Sequence, residues 1–264
     1  MISGMRRLFP VPAAGREAAD RRWPLAELAD AYAYPASSDG TPWLRANMVS
    51  SLDGAAHHKG RSAGLSGAAD MRVFGVLRAL ADAVVVGAET ARVEEYGPAR
   101  ARESFAARRA AAGQRPAPAI VVVSLGLELD FSLPLFTQAL VPTLVVTGAG
   151  APAEALRAAR KAGVEVIVAG EGSGGDPARI KAELAGRGYT RLLTEGGPRM
   201  LGQFAAAGVL DELCLTLSPR VVAGAAPRVI SGPELPVTDE LELAGLLEEQ
   251  GFLFARYRWG TGRP

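Results

Sequence analysis

The sequence predicts an α/β fold, in which strands alternate with helices in a mixed, mostly parallel sheet. Short apolar runs rich in β-branched residues lie at 44–50, 83–87, 119–124, 143–147, 164–169, 190–194 and 212–218. Helical patterns lie between most of these runs, at 66–80, 152–162, 177–187 and 199–207. Strands that alternate with helices indicate crossover connections, and such connections join parallel strands.

Two further runs near the C-terminus, 240–248 and 252–259, have no helix between them. They meet at Gln250-Gly251, which predicts an antiparallel hairpin at one edge of the sheet. At the other end of the chain, residues 1–40 are interpreted as a leader and a short helix that ends before Pro35. The remaining residues, 41–264, are predicted to form a single domain. The Arg/Ala-rich segment 98–118 is predicted to be an exposed excursion from this domain.

Composition narrows the class of function. The 29 basic residues balance 28 acidic ones, and only 6% of residues are aromatic, which argues against a nucleic-acid-binding surface. The one cysteine excludes a disulfide framework and a multi-cysteine zinc site. No apolar run is long enough to span a bilayer. We expect a cytoplasmic protein that acts on a small molecule, without metal, membrane or nucleic acid.

Three predicted strands end in residues that suit a ligand site. Ligands of open parallel sheets bind at the carboxyl ends of the strands. Glu195-Gly196-Gly197-Pro198 leads into a helix, and glycine together with the free N–H groups of a helix start suits a pyrophosphate. A plain turn explains this segment equally well. For the segment from Gly87 to Thr90, and for Asp53, which follows the apolar run at 44–50, a structural turn is the favoured interpretation from spacing alone.

A rival nucleotide site lies at 148–153, where GAGAPA follows a predicted strand and opens a helix. It satisfies the G-x-G-x-x-A pattern of dinucleotide-binding turns, and Glu171 lies about 20 residues further on. This alternative predicts a dehydrogenase that prefers NADH.

Taken together, four segments resemble a known family: NMVSSLDG, LRALADAVVVGAETARVEE, LLTEGGPRMLGQF and GVLDELCLTLSPRVVAG. In order and spacing they are similar to the reductase domain of the bifunctional riboflavin-biosynthesis deaminase/reductase, from about residue 41 onward. The resemblance implies a fold like that of dihydrofolate reductase, a homodimer, and NADPH as the cofactor. It implies reduction of a ribosyl group to ribityl, as in 5-amino-6-(5-phosphoribosylamino)uracil reductase. The deaminase signature, H-x-E with P-C-x-x-C, cannot be built from one cysteine.

The resemblance also assigns residues. Those implied to contact substrate are Asn47, Ser62, Arg78 and Glu195. Those implied to contact NADPH are Val49, Gly64, Gly87, Thr90, Glu94, Ser124, Gly196, Gly197, Pro198, Arg199, Met200 and Leu201. Asn47 and Glu94 replace a lysine and an aspartate of the family, and a second substrate arginine is expected near Ala101.

Two carboxylates, Asp53 and Glu195, are the candidate catalytic groups. Either could assist ring opening or protonate the developing amine after hydride transfer. We expect partial burial to raise the pKa of the acting carboxyl toward neutrality. Two other functions stay open: pterin reduction of the dihydrofolate reductase type, with Asp53 holding the pterin, and nucleotide binding without turnover.

Overall fold

The computed structural model describes residues 5–10, 23–36, 40–235 and 238–260. The strands are β1 (Arg6–Phe9), β2 (Trp43–Ser51), β3 (Ala83–Gly87), β4 (Ala119–Val123), β5 (Leu144–Thr147), β6 (Glu165–Val168), β7 (Arg191–Thr194), β8 (Glu212–Ser218), β9 (Leu241–Glu249) and β10 (Phe252–Trp259). The helices are α1 (Leu25–Ala31), α2 (Ala68–Leu80), α3 (Ala88–Val93), α4 (Glu103–Ala111), α5 (Pro134–Thr137), α6 (Ala153–Lys161), α7 (Pro177–Gly186) and α8 (Pro198–Ala206).

The chain divides into two compact units. The terminal unit contains Met1–Tyr34, Arg45–Leu77 and Pro198–Pro264, and the central unit contains Pro35–Leu44 and Arg78–Gly197. The boundary between them falls inside α2, after Leu77. The predicted single domain of 41–264 stays a prediction.

The central unit is built on parallel strands in the order β7-β3-β4-β5-β6. Two of its inner strands, β3 and β4, consist of apolar residues and one glycine, and Val84, Val85 and Val86 of β3 are fully buried. Strands buried on both faces are expected to be continuously apolar rather than alternating. This composition explains why these strands are found where the sequence predicts them.

The terminal unit has strands in the order β1-β9-β10-β8-β2, with β2 parallel to β8 and the other pairs antiparallel. The predicted hairpin is confirmed, since β9 pairs with β10 and Gln250 and Gly251, both at positive φ, lie between them. Strand β1 lies within the predicted leader, and the sequence analysis did not predict it. Residues 11–22 of that leader lie outside the described residues. The fold class, a mixed and mostly parallel sheet with antiparallel C-terminal strands, is confirmed.

The predicted helices are found within two residues of their expected bounds, and the short helix before Pro35 is α1. The segment 98–118 differs from expectation because α4 is anchored rather than fully exposed. Phe105 and Arg109 of α4 are 2% and 3% exposed. The Arg109 guanidinium donates to the carbonyls of Ala79 and Ala81, each at 2.8 Å, which fixes α4 against the end of α2.

Candidate active site

The central unit brings the glycines after β7 against the end of β3. The Glu195 N–H donates to the Val85 carbonyl at 3.1 Å, and the Gly87 N–H donates to the Gly196 carbonyl at 2.8 Å. Gly196 has φ of 79°, in the region that favours glycine. The two predicted ligand turns of this unit therefore lie side by side.

Gly197 lacks a side chain for a different reason, the close approach of a neighbouring residue. A Cβ built on it would lie 2.4 Å from the Thr90 hydroxyl oxygen, which is closer than real contacts allow. Thr90 belongs to α3, which begins directly after Gly87. Four residues predicted to contact the cofactor, Gly87, Thr90, Gly196 and Gly197, are thus brought together. Their contact with a cofactor stays a prediction.

Beside this corner, Arg78 and Glu195 form a two-point ion pair. Arg78 Nε donates to Glu195 Oε1 at 2.7 Å, and Arg78 Nη2 donates to Oε2 at 2.6 Å. The Tyr96 hydroxyl donates to the same Oε2, and the Arg78 guanidinium lies 5.0 Å from the centre of the Tyr96 ring. The side chains of Arg78 and Glu195 are 23% and 3% exposed. A nearly buried carboxylate thus fixes a guanidinium that still reaches solvent.

Electrostatics keeps both partners of Glu195 protonated. Burial acts to lower the pKa of Arg78, but the charge of Glu195 and the hydrogen bonds to it raise this pKa above its ordinary value. Burial and the Glu195 charge raise the pKa of Tyr96 well above its ordinary value. Arg78 is therefore a permanent cation, and Tyr96 is a permanent donor. Sequence reasoning missed Tyr96, because the segment that resembles the family ends at Glu95.

The second substrate arginine, expected near Ala101, has two candidates. Arg100 and Arg102 flank Ala101, and both line a cavity of about 430 Å³ that Arg78 also lines. Four arginines and one acid, Glu95, lie on its wall. Sequence spacing alone did not assign the expected arginine to either neighbour.

The other cofactor residues predicted in this unit have partners within the protein. Ser124 is buried directly after β4, and its Oγ accepts the Leu127 N–H at 3.0 Å. The Glu94 N–H donates to the Thr90 carbonyl at 2.9 Å, just beyond α3. Both residues therefore shape turns at strand or helix ends, and their contact with a cofactor stays a prediction.

In the terminal unit, the Asp53 carboxylate anchors a loop. It accepts N–H groups from Val222, at 3.1 Å, and Ala223, at 2.6 Å, and it also accepts the Ser51 hydroxyl. These bonds, led by that from Ser51, lower the pKa of the exposed Asp53 to about 2. The expected upward shift of this pKa is wrong, because Asp53 is exposed and hydrogen bonds stabilise its ionised form. The structure thus favours the turn interpretation, and the catalytic role of Asp53 stays a prediction.

Residues assigned to substrate or cofactor also lie on and after β2. Asn47 and Val49 alternate along β2, opposite Cys214 and Thr216 of β8, and both are half-buried. Alternation places their side chains on one face of the strand. Ser62 opens a short 3₁₀ turn that ends at Gly64, whose carbonyl accepts the Arg220 guanidinium.

Helix α8 begins with Pro198, directly after Gly197. Arg199 is exposed, whereas Met200 and Leu201 are buried, so the latter two can face a ligand only through their backbone. The first N–H groups of a helix have no acceptor within it, and proline lacks an N–H. A Cβ on Gly202 would lie 2.4 Å from the Ser231 carbonyl oxygen, so this glycine serves packing.

In the rival turn at 148–153, the backbone N–H groups are already hydrogen-bonded to other parts of the protein. The N–H groups of Gly148 and Gly150 donate to the carbonyls of Ser173, at 3.2 Å, and Gly172, at 2.9 Å. A Cβ on Gly148 would lie 1.9 Å from the Gly172 carbonyl oxygen. Glu171 is 82% exposed and pairs with Arg179. The close approach that requires glycine here is made by backbone, which favours a structural turn over a dinucleotide site.

No group of three or more His, Cys, Asp or Glu side chains among the described residues could hold a metal ion. None of the described helices combines the length and the hydropathy required to cross a membrane.

Comparison with known proteins decides the family. Residues 42–248 match the model of the RibD C-terminal domain. The chain belongs to the RibD C-terminal domain family. The predicted resemblance is therefore confirmed.

Two curated proteins similar to this chain are each named 2,5-diamino-6-ribosylamino-4(3H)-pyrimidinone 5′-phosphate reductase. The one from Archaeoglobus fulgidus is 28% identical over 193 residues, which is 72% of this chain and 87% of that protein. The one from Aquifex aeolicus is 31% identical over 157 residues, which is 59% of this chain and 65% of that protein. The matched region thus spans slightly less than two thirds of the Aquifex protein.

Solved structures agree with this assignment. A pyrimidine reductase-like protein from Corynebacterium diphtheriae is 31% identical, with a TM-score of 0.78, over 88% of this chain and 98% of that one. RibD from Acinetobacter baumannii is 17% identical, with a TM-score of 0.66, over 85% of this chain and 60% of that one. The second likeness concerns the fold alone.

Proposed function

We propose that the chain is an NADPH-dependent reductase of a ribosylaminopyrimidine 5′-phosphate. The substrate would be the 2,5-diaminopyrimidinone, as the names of the two relatives state, or the corresponding 5-aminouracil. In this reaction the ring of the ribosylamine opens to an imine, which keeps the bond between the sugar carbon and the pyrimidine nitrogen. The carbon then gains a hydride and the heteroatom gains a proton, which yields the ribityl product.

The observation that carries the proposal is the glycine corner at the end of β7. Gly196 and Gly197 present backbone without side chains, Thr90 lies against Gly197, and the first turn of α8 follows directly. Unpaired N–H groups at a helix start, with glycine before them, suit the diphosphate of a dinucleotide. The residues present therefore fit NADPH, which would supply the hydride when bound.

Arg78 and Glu195 are proposed to act on the substrate. The two hydrogen bonds from Arg78 and the one from Tyr96 fix the Glu195 carboxylate in one orientation. The same bonds hold Arg78 as an oriented cation, suited to a phosphate or to an oxygen of the opened sugar. Of the two candidate catalytic carboxylates we favour Glu195, because it is buried where water can be excluded. Asp53 is exposed and ionised, with its oxygens bound to the loop at 222–223.

The proposal is tested by NADPH oxidation with each of the two phosphorylated pyrimidines, and with NADH in place of NADPH. We expect turnover with at least one pyrimidine and a preference for NADPH. Saturable NADPH binding without reduction of either pyrimidine would contradict the proposal and favour a nucleotide-binding protein. Turnover of dihydrofolate that methotrexate inhibits would instead favour pterin reduction.

Variants then test the roles of the carboxylates. We expect Glu195→Gln to lower kcat by roughly 10²–10⁴-fold, the usual contribution of a general acid or base, with little change in the Kd for NADPH. Asp53→Asn is expected to lower kcat by less than about tenfold, which is below that range. Glu154→Gln, an exposed change on α6, is the matched control. Full activity of Glu195→Gln would remove the proposed role.

We also propose that the enzyme is a homodimer and works in the cytoplasm. Both proposals rest on the family resemblance. Light scattering of the purified chain measures the mass in solution, and a monomer at all concentrations would contradict the first of them.

A further inference from the structure

An exposed segment of the terminal unit carries two residues that the family resemblance assigns to ligands. We call residues 57–64 the turn segment. In it, His58 and Arg61 pair through their backbone N–H and carbonyl groups, at 3.0 and 3.2 Å, and the 3₁₀ turn follows directly. Most of its residues are exposed. Ser62 is implied to contact substrate and Gly64 to contact NADPH, so the position of this segment matters for both ligands.

The turn segment is fixed to the rest of the terminal unit at its two ends. Before it, the Ala56 N–H donates to the Pro227 carbonyl at 2.9 Å. After it, Leu65 is fully buried, and its N–H donates to the Ser62 carbonyl at 2.8 Å. Exposed loops with few buried contacts are the parts of a protein that open most readily. An anchor between these two ends therefore decides how precisely Ser62 and Gly64 are held.

Arg220 supplies such an anchor from a neighbouring loop. Its guanidinium donates to the Gly64 carbonyl. This carbonyl closes the 3₁₀ turn, and the last carbonyls of a helical turn have no donor within that turn. A charged donor forms a stronger hydrogen bond than a neutral one. The bond thus joins the end of the turn segment to the loop that follows β8.

The backbone of Arg220 is itself held on both sides. Its N–H donates to the Ser218 carbonyl, at the end of β8, at 2.7 Å, and its carbonyl accepts the Leu52 N–H at 2.8 Å. Just beyond it, the Asp53 carboxylate accepts the N–H groups of residues 222–223. A side chain holds a distant group precisely when its own starting point is fixed. The guanidinium of Arg220 meets this condition.

We propose that Arg220 is a positioning residue, which holds Ser62 and Gly64 in place for the substrate and NADPH. It acts through the Gly64 carbonyl, and the family resemblance assigns it no ligand contact of its own. The effect on ligands rests on the proposed function. The effect on the turn segment does not, and each effect has its own experiment.

Cleavage by a lysine-specific protease tests the anchor without ligand or activity. The chain contains three lysines, Lys59, Lys161 and Lys181, of which Lys59 lies in the turn segment. Cleavage of a folded protein requires local opening, and its rate follows the population of the open state. We expect Arg220→Met to raise the rate at Lys59 by about three- to tenfold, as loss of one hydrogen bond predicts. The rates at Lys161 and Lys181 are expected not to change. An unchanged rate at Lys59 would overturn the proposal.

Arg187→Met is the matched control for this measurement. Like Arg220, Arg187 is exposed and donates to a backbone carbonyl, that of Glu183 at 3.0 Å, but it belongs to the central unit. It should leave cleavage at Lys59 at the rate of the parent protein. An equal increase in both variants would show that the effect does not come from the bond to Gly64.

Steady-state kinetics and NADPH binding test the effect on ligands. We expect Arg220→Met to raise the KM for the pyrimidine and the Kd for NADPH by about three- to tenfold, with kcat changed by less than about twofold, because it loosens binding residues rather than a catalytic carboxylate. Arg220→Lys keeps a charged donor and should recover most of the lost affinity. A fall in kcat with unchanged KM and Kd would contradict a positioning role.

Failure of this proposal and failure of the proposed function are distinguishable. Should the parent chain turn over neither pyrimidine, the proposed function fails, and cleavage at Lys59 still decides whether Arg220 anchors the turn segment. Should an active parent enzyme and its Arg220→Met variant be cleaved at Lys59 at the same rate, the proposed function stands and the positioning role fails.

Discussion

The pair formed by Arg78 and Glu195 makes a quantitative prediction, because its two partners differ in burial. Removing one partner of a fully buried ion pair costs about 3–5 kcal/mol, since the other charge is left uncompensated. The Glu195 side chain is 3% exposed, but the Arg78 side chain is 23% exposed and is partly screened by water. We therefore expect Arg78→Met and Glu195→Leu each to lower the free energy of unfolding by about 2–4 kcal/mol.

The double variant should be much more stable than the sum of the single changes. An apolar pair of similar volume can replace a buried ion pair at little cost. The Tyr96 hydroxyl would lose its acceptor in Glu195→Leu, at about 1–3 kcal/mol, and this loss persists in the double variant. The coupling free energy that remains between Arg78 and Glu195 is expected to be about 2–3 kcal/mol.

The assay is urea unfolding of the parent and the three variants, with a second cycle as a control. Arg187 and Glu183 form an ion pair of similar length, 2.5 Å, but their side chains are 34% and 44% exposed. Exposed pairs at this helical spacing couple by only about 0.3–0.5 kcal/mol. A coupling between Arg78 and Glu195 no larger than this would refute the reasoning, because it would show that water screens the pair as it screens a surface pair.

Three further predictions concern single residues. Because the pKa of Asp53 is lowered from 3.8 to about 2, its contribution to stability is present above the ordinary pKa and is lost as the pH falls toward 2. Asp53→Asn should therefore be less stable than the parent at neutral pH, and equal stability at neutral pH would contradict the loop anchor. Burial, then the charge of Glu212, raises the pKa of the Cys214 thiol, so a thiol reagent should modify this single cysteine only after unfolding. Gly148→Ala places a Cβ 1.9 Å from a backbone oxygen of Gly172 and should destabilise by roughly 1–3 kcal/mol or more, whereas NADPH binding by the folded fraction is unchanged. Loss of NADPH binding in a folded Gly148→Ala protein would revive the dehydrogenase alternative.

Strands buried in the middle of the parallel set could be predicted because burial on both faces requires apolar residues throughout, and the sequence shows this directly. The run at 83–87 is apolar throughout since both faces of β3 are covered. Strand β1 carries no such signal, because its four residues, RRLF, are mostly exposed. It is a strand only through its pairing with β9, for example Arg6 with Glu248, which are far apart in the chain. Local patterns do not encode such a pairing.

The candidate site was predictable where a turn has a reason of its own to require glycine. Gly196 and Gly197 were found in this way. Tyr96 and Arg109 were not, because their roles depend on groups that are distant in sequence. Tyr96 is recognisable only once Glu195 lies beside it, and Arg109 only once the carbonyls of Ala79 and Ala81 are in reach.

The two glycine turns, 148–150 and 196–197, show why a motif alone does not identify a site. Both follow a strand and precede a helix, and both contain a glycine that excludes a side chain. What approaches the glycine differs: a backbone carbonyl reaches Gly148, whereas a threonine hydroxyl reaches Gly197. The Gly172 carbonyl accepts the Gly150 N–H and the Ser173 carbonyl accepts the Gly148 N–H, so these donors are not available to a phosphate, whereas a hydroxyl can itself donate to one. The chemical group that fills the space of the missing Cβ therefore separates a turn built for packing from one that can hold an anion.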